Sequence, residues 1–465
     1  MVFSSLTFLC IFLPVVLILD RIFKNIHIKN ALLLVASLLF YAYGEPVYVL
    51  LMIASALLNY ISALLISHFK GNAGARKLFL ALGVIVNLGA LVFFKYSVFL
   101  TTFVNDNFGT AVPVPEVTLP LGISFFTFQA MSYVIDVYRE DCDVQKNFAR
   151  LLLYISFFPQ LIAGPIVKYR DIEAQILERK VTSDGAASGI LRFAQGLAKK
   201  VFIANNVAVI ADTVFNALGQ GIDTKTAWLG AVAYMLQIYF DFSGYSDMAI
   251  GLGRMFGFEF KENFDHPYIA TSIKDFWRRW HISLSSWFKE YLYIPLGGNR
   301  KGKVRTVINK FIVFACTGIW HGANWTFLFW GLYHGCFLMI EELLPKKEKK
   351  GITLRVLSHI YLVFVVMIGF VLFRCDSISD FGLMMSKMFF LGGVSESTMM
   401  FMKLLNPLNI SAILAGIVFS MPVGDKLKKF KITKYLSYAA ALTAVVLAIM
   451  CLSSGSYNPF IYFRF

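Results

Sequence analysis

At 465 residues, 58 % hydrophobic and only 15 % charged, the chain is too apolar for a soluble globular protein, which carries about 45–50 % apolar and about 25 % charged residues. A net charge of +15 would suggest nucleic acid in a soluble protein, but the basic residues form short clusters between apolar runs, which argues for membrane topology and anionic lipid headgroups instead. Six scattered cysteines without a C-x-x-C pair speak against a disulfide framework or a zinc site.

A membrane-spanning helix needs roughly 17–25 mostly apolar residues. The first candidate, 2–23, has no Lys or Arg before its apolar run and no small-x-small cleavage site after it, so a retained span is expected rather than a signal peptide. Further candidates follow at 31–43 (short), 46–66, 78–100 and 117–138. Segment 151–167 is apolar but flanked by basic residues on both sides, and it contains "PQLIAGPI", whose two prolines and glycine interrupt a helix. A re-entrant segment is expected there, because broken backbone survives at membrane depth only inside protein or beside a wet cavity.

Beyond it come a weak candidate at 201–218, carrying Asn205, Asn206 and Asp212, and a clear one at 228–252. The stretch 254–310 is too charged to cross lipid and unusually aromatic. Trp277, Trp280, Trp287, Tyr291 and Tyr293 suit a membrane–water interface, so amphipathic helices at the cytoplasmic face are predicted. Residues 311–343 are long enough for a tight helical hairpin, and 354–373, 407–423 and 436–452 complete the series. Basic clusters at Arg21/Lys24/Lys29, Lys70/Arg76/Lys77, Arg139/Lys146/Arg150, 346–350 and 426–434 mark the cytoplasmic side, which predicts about twelve crossings with both termini outside. The expected organisation is one integral membrane domain: N-terminal spans to residue 150, a core over 151–343, and C-terminal spans over 344–465.

Within that frame "GIWHGANWTFLFWGLYHG", 318–335, puts imidazoles in an apolar, Trp-rich run. His321 follows the basic Lys310 by eleven positions, about 16 Å of helix, or roughly half the hydrocarbon thickness. An ionisable side chain at that depth is a candidate for function, and a neutral imidazole suits general-base activation of a hydroxyl. The bland reading is a buried histidine bonded to a carbonyl. His281, in "FWRRWHISLSSWF" beside Arg278 and Arg279, is either a second polar member of the site or an interfacial histidine on an amphipathic helix. His334 would lie about 220° from His321 on a continuous helix, which favours packing.

"YFDFSGYSDMAIG" places Asp241, Ser243, Ser246 and Asp247 inside a span. Buried charges persist only when paired, and Arg254 with the Arg278/Arg279 group are the expected partners, a polar tunnel lining being the other reading. "GGNRKGK" at 297–303 formally fits a phosphate-binding loop, but Val304 replaces the Ser/Thr that would hold magnesium and no strand precedes it.

The segments "DFWRRWHISLSSWFKEYLYIPLGGNRKG" and "TGIWHGANWTFLFWGLYHG" resemble the signature of the membrane-bound O-acyltransferases. "MVFSSLTFLCIFLPV", "FFPQLIAGPIVKYRD", "YFDFSGYSDMAIGLG" and "SSGSYNPFIYFRF" are similar to the bacterial branch that contains the alginate and peptidoglycan O-acetyltransferase membrane subunits, with the teichoic-acid D-alanylation acyltransferase as a more distant relative. The resemblance implies an all-α polytopic fold, a ring of helices thinned around a central tunnel. It implies His321 as catalytic and His281 as supporting; Trp320, Asn324, Arg278, Arg279 and Asp241, in or beside these motifs, are candidate substrate contacts. The implied chemistry is acetyl transfer in a bacterial plasma membrane, from a cytoplasmic thioester such as acetyl-CoA, with no bound cofactor or metal. The implied acceptor is a cell-surface or exported polysaccharide, reached directly or through an extracytoplasmic acetyltransferase partner. Two other classes fit a polytopic chain: a flippase for a lipid-linked sugar, although no internal repeat is visible, and a scaffold for an extracellular acetyltransferase.

Overall fold

A computed structural model of the chain describes residues 1–343, 351–390, 395–423 and 432–461. The basic clusters at 346–350 and 426–431 lie outside the described residues. The described elements are helical, and they group into two compact units, Met1–Phe193 with Ser246–Lys261, and Ala194–Tyr245 with Glu262–Phe465.

The first unit opens with a π-helical turn, Phe8–Phe12, that runs into α1 (Leu13–Ile22). α2 (Ile26–Ala42) follows, its start capped by the Asn25 side chain, which accepts the His27 N–H at 2.8 Å. α3 (Tyr48–His68) and α4 (Ala73–Phe108) are the long apolar helices of this unit. Their buried Asn59 and Asn87 satisfy one another through reciprocal amide hydrogen bonds of 3.1 and 2.7 Å, the requirement for polar groups away from water. α5 (Ile123–Arg139) buries all but a few of its residues.

The predicted interruption then appears. α6 (Phe148–Ser156) stops at Phe157, a single turn α7 (Phe158–Leu161) follows, and the backbone runs on without helix to α8 (Tyr169–Leu177). Residues 151–169 are all buried. The backbone groups freed by the break find side chains: Tyr154 donates to the Val167 carbonyl at 2.9 Å, Gln160 to the Tyr154 carbonyl at 2.7 Å, and the Phe158 N–H to the Ser37 hydroxyl at 3.1 Å. Such internal satisfaction is what lets irregular backbone stay buried.

The second unit begins within α9 (Ser183–Ala198), which continues through a π-helical stretch at Lys199–Ala204 into α10 (Asn205–Asn216). α11 (Thr224–Met255) carries the "YFDFSGYSDMAIG" motif. The charged, aromatic stretch forms two seven-residue helices, α12 (Ile273–Arg279) and α13 (Ile282–Phe288), both too short to cross a bilayer. One expectation is revised here. Trp280, Trp287 and Tyr291 are buried in the protein rather than presented to an interface. Trp280 packs on Phe276 and Phe370 with ring centroids 5.5 and 5.1 Å away, so the apolar area that suited a lipid boundary is consumed by the core.

α14 (Gly302–His321) and α15 (Trp325–Leu343) form the hairpin. Glycines set its closeness: a Cβ on Gly318 would collide with the Phe327 carbonyl oxygen, and one on Gly331 with the Phe314 carbonyl oxygen. α16 (Ile352–Arg374), α17 (Ile378–Phe389), α18 (Ser395–Leu404), α19 (Pro407–Phe419) and α20 (Ile432–Ser453) complete the unit. By length and composition, four described helices can cross a membrane, Tyr48–His68, Ala73–Phe108, Ile352–Arg374 and Tyr435–Ser453, and the bent pair at 397–404 and 407–419 would make a fifth. The chain is a multi-pass membrane protein on this ground.

Candidate active site

α14 ends at His321 because the next residue leaves helical geometry: Gly322 is extended, with φ −175° and ψ 162°. A side chain at 322 would drive into the Phe327 ring, so glycine is needed for the close approach rather than for its dihedrals. The bend brings the His321 imidazole, 8 % exposed, edge-on to Trp330 and Phe373, each with its centroid 5.1 Å away.

His281 reaches the same place from the junction of α12 and α13. It holds a left-handed backbone, φ +46°, unusual for a residue with a Cβ. Its Nδ1 lies 3.2 Å from the Asn263 side-chain oxygen, which also accepts the Ser283 N–H at 3.2 Å and the Ser283 hydroxyl at 2.8 Å. A backbone N–H can only donate, so the shared Asn263 atom is the oxygen, and His281 Nδ1 must carry a proton to bond it. That assigns the tautomer and leaves Nε2 as the lone-pair atom. His281 sits on elements too short to span, and enclosure pushes its imidazole down to about 3, so it is neutral at physiological pH.

The two histidines line one small cavity of about 20 Å³, room for roughly one water molecule. The rest of its wall is apolar or aromatic, including Ile238, Phe242, Trp280, Phe373 and Ile461. All of it belongs to the second unit. Two neutral-capable bases on an apolar wall can move a proton, and low-dielectric surroundings strengthen each electrostatic contact made there.

The other predicted contacts are not part of the cavity wall. Trp320 is buried, its ring 6.4 Å from His281 and 5.0 Å from His321. Asn324 ties down the bend, donating to the Asp376 carbonyl at 2.7 Å and accepting the Thr326 N–H at 3.1 Å. Arg279 is engaged by Asp265 at 3.1 Å and Asp275 at 3.2 Å, while Arg278 is exposed. The acidic residues of α11 are indeed paired, but not with the expected arginines. Asp241 meets Lys200 at 2.7 Å and Asp247 meets Arg192 at 2.7 Å, while Arg254 bonds Glu259 at 3.1 Å. The helix running from 183 to 216 supplies both cations, and a hydropathy reading had no means of matching it to α11. His334, fully buried, packs between Trp277 and Trp330, each 5.2 Å away, and is not part of the cavity wall.

Residues 139–346 match the profile of MBOAT, the membrane-bound O-acyltransferase family. The chain is 40 % identical to a "Probable alginate O-acetylase AlgI" of Azotobacter vinelandii over the full length of both proteins. It is 45 % identical to the protein of the same description from Pseudomonas aeruginosa, over 84 % of this chain and 75 % of the other. A "Peptidoglycan O-acetyltransferase" of Helicobacter pylori is 36 % identical over 91 % of this chain and 86 % of its own. The chain belongs to the membrane-bound O-acyltransferase family. It is an O-acyltransferase, and both cavity histidines fall inside the matched region. Asn263, which fixes the His281 tautomer, also falls inside it and was not singled out in the sequence, since an isolated Asn in a charged loop carries no spacing signal. Phe370, Phe373 and Ile461 fall outside it.

Proposed function

We propose that this chain is a bacterial plasma-membrane O-acetyltransferase that moves an acetyl group from a cytoplasmic thioester, of the acetyl-CoA class, to hydroxyls of a cell-surface or exported polysaccharide, directly or through an extracytoplasmic partner. The observation that carries the reading is the pairing of His321 with a tautomer-fixed His281 in one small apolar cavity. Relatives described as alginate and peptidoglycan O-acetyltransferases support the polymer class. On this reading the helices form a ring of about twelve crossings with the cavity on its central tunnel.

In the proposed reaction His321 takes the proton of the acceptor hydroxyl as its oxygen attacks the thioester carbonyl. The carbon–sulfur bond breaks, an oxygen ester forms, and the proton passes to the departing thiolate. General-base help of this kind is worth about 10²–10⁴-fold. His281 supports the reacting groups with its Nε2 lone pair, Trp320 backs both rings, and exposed Arg278 offers a charge to the phosphates of the donor. The remaining candidate contacts, Asn324, Arg279 and Asp241, act by holding the surrounding backbone.

The test is a deletion strain. Ester-linked acetate released by mild base from its envelope polysaccharides should fall to background and return with the wild-type gene. Unchanged acetate in the deletion strain would refute the proposal.

A further inference from the structure

The cavity wall has one member with an unusual origin. Its other residues lie on helices, at helix ends or between the short helices, whereas Ile461 comes from the segment after α20. That segment is held by charge buried in the second unit. Lys200 and Asp241, 3 % and 1 % exposed, pair at 2.7 Å. Their remaining capacity goes to the segment's backbone: Lys200 donates to the Pro459 carbonyl, and Asp241 accepts the Ile461 N–H at 2.8 Å. Asn205 donates to the Asn458 side chain at 3.1 Å. A second buried charge, Arg374, pairs with Asp212 at 2.7 Å, and Asp212 also accepts the Tyr457 hydroxyl at 2.7 Å. Phe460 stacks on Tyr245 with centroids 5.0 Å apart.

Burying a lysine and an aspartate costs several kcal/mol per ion, offset only by good geometry and further hydrogen bonds. Here the further bonds go to residues 459 and 461, flanking Phe460, which stacks on Tyr245, and ending at Ile461, which walls the cavity. Ion pairing alone would not require that arrangement.

Resting on the acetyl-transfer reading above, we propose that Ile461 limits the transferred acyl group to two carbons, with the buried Lys200–Asp241 pair as the clamp that positions it. The cavity is small, about 20 Å³, room for roughly one water. A longer acyl chain presses harder on this wall, and Ile461 is the wall residue attached to a clamped segment rather than to a packed helix. Discrimination by one methylene in an apolar pocket amounts to roughly 10–200-fold. Lys200 and Asp241 are positioning residues on this view, since they act through the segment.

The experiment reads the ratio of acyl esters on envelope polysaccharide from a deletion strain complemented with each variant and grown with propionate and butyrate. Protein abundance is followed by immunoblot. Ile461→Ala should raise the propionyl-to-acetyl and butyryl-to-acetyl ratios by about tenfold or more. Ile461→Phe, at normal abundance, should lower acetyl ester without raising the longer ones. The paired replacement Lys200→Met with Asp241→Asn removes both charges together, leaving none unpaired, and should shift the ratio in the direction of Ile461→Ala. An unchanged ratio in a well-expressed Ile461→Ala strain that still makes acetyl ester overturns the inference. Absence of any ester above the deletion background with the wild-type gene would instead refute the acetyl-transfer reading itself.

Discussion

The bend after α14 and the middle of α15 each hold a histidine among tryptophans, and Trp330 contacts both, at 5.1 Å from His321 and 5.2 Å from His334. Both rings are buried. They differ in what else is near. His321 ends its helix, looks onto free volume and shares that volume with His281. His334 sits mid-helix, closed in by Trp277 and Tyr333, and a Cβ on Gly369 would come within 2.6 Å of its Nε2. Burial and aromatic company are therefore common to the imidazole proposed as the base and to a packed one. Empty space and a second base tell them apart.

The largest contrast between the two rings should come from His321→Ala. Loss of the proposed base predicts a fall of at least about 100-fold in polysaccharide acetyl ester, with protein abundance near wild type. His321→Gln, closer in size, should fall as far, because an amide cannot take up the proton. Substantial acetylation in either well-expressed variant would place the chemistry elsewhere.

A smaller effect is expected at the residue that orients the partner ring. Asn263→Ala frees the His281 tautomer and strands the Ser283 N–H, a buried donor whose loss of partner costs about 1–3 kcal/mol. Initial rates of acetyl transfer by the purified protein should drop by about tenfold. Asn263→Asp keeps an acceptor at all three bonds and should retain more activity than the alanine variant. Equal rates in Asn263→Ala and wild type would mean that the orientation of His281 has no bearing on the reaction.

His321 was singled out in the sequence because three signals coincided there (depth counted from Lys310, the glycines around it, and the W-H-G motif), and the structure places it on a cavity wall with His281. The break within 151–167 was legible from its prolines. The ion pairs were half legible. That Asp241 and Asp247 need cations follows from burial, but which cations depends on which helix lies alongside, and no motif in the sequence marks Lys200 and Arg192. The aromatic stretch misled, because tryptophan is equally at home at a lipid boundary and in a core, and only packing decides. Ile461 carried no signal of a cavity role, since a wall residue 140 positions after His321 is joined to it by tertiary contact alone.

The smallest effect should be at His334. Neither of its ring nitrogens has a hydrogen-bond partner among the described residues, and each such buried polar atom costs about 1–3 kcal/mol. Met has similar reach, adapts to irregular gaps and makes favourable contacts with aromatic rings. His334→Met should leave acetyl transfer within about threefold of wild type, and thermal unfolding of the detergent-solubilised protein should occur at the same temperature or higher, because two unmet polar atoms are removed from an aromatic cage. A loss comparable to that of His321→Ala, in a variant that melts normally, would show that the ring takes part in the reaction through Trp330 and would erase the distinction between the two histidines.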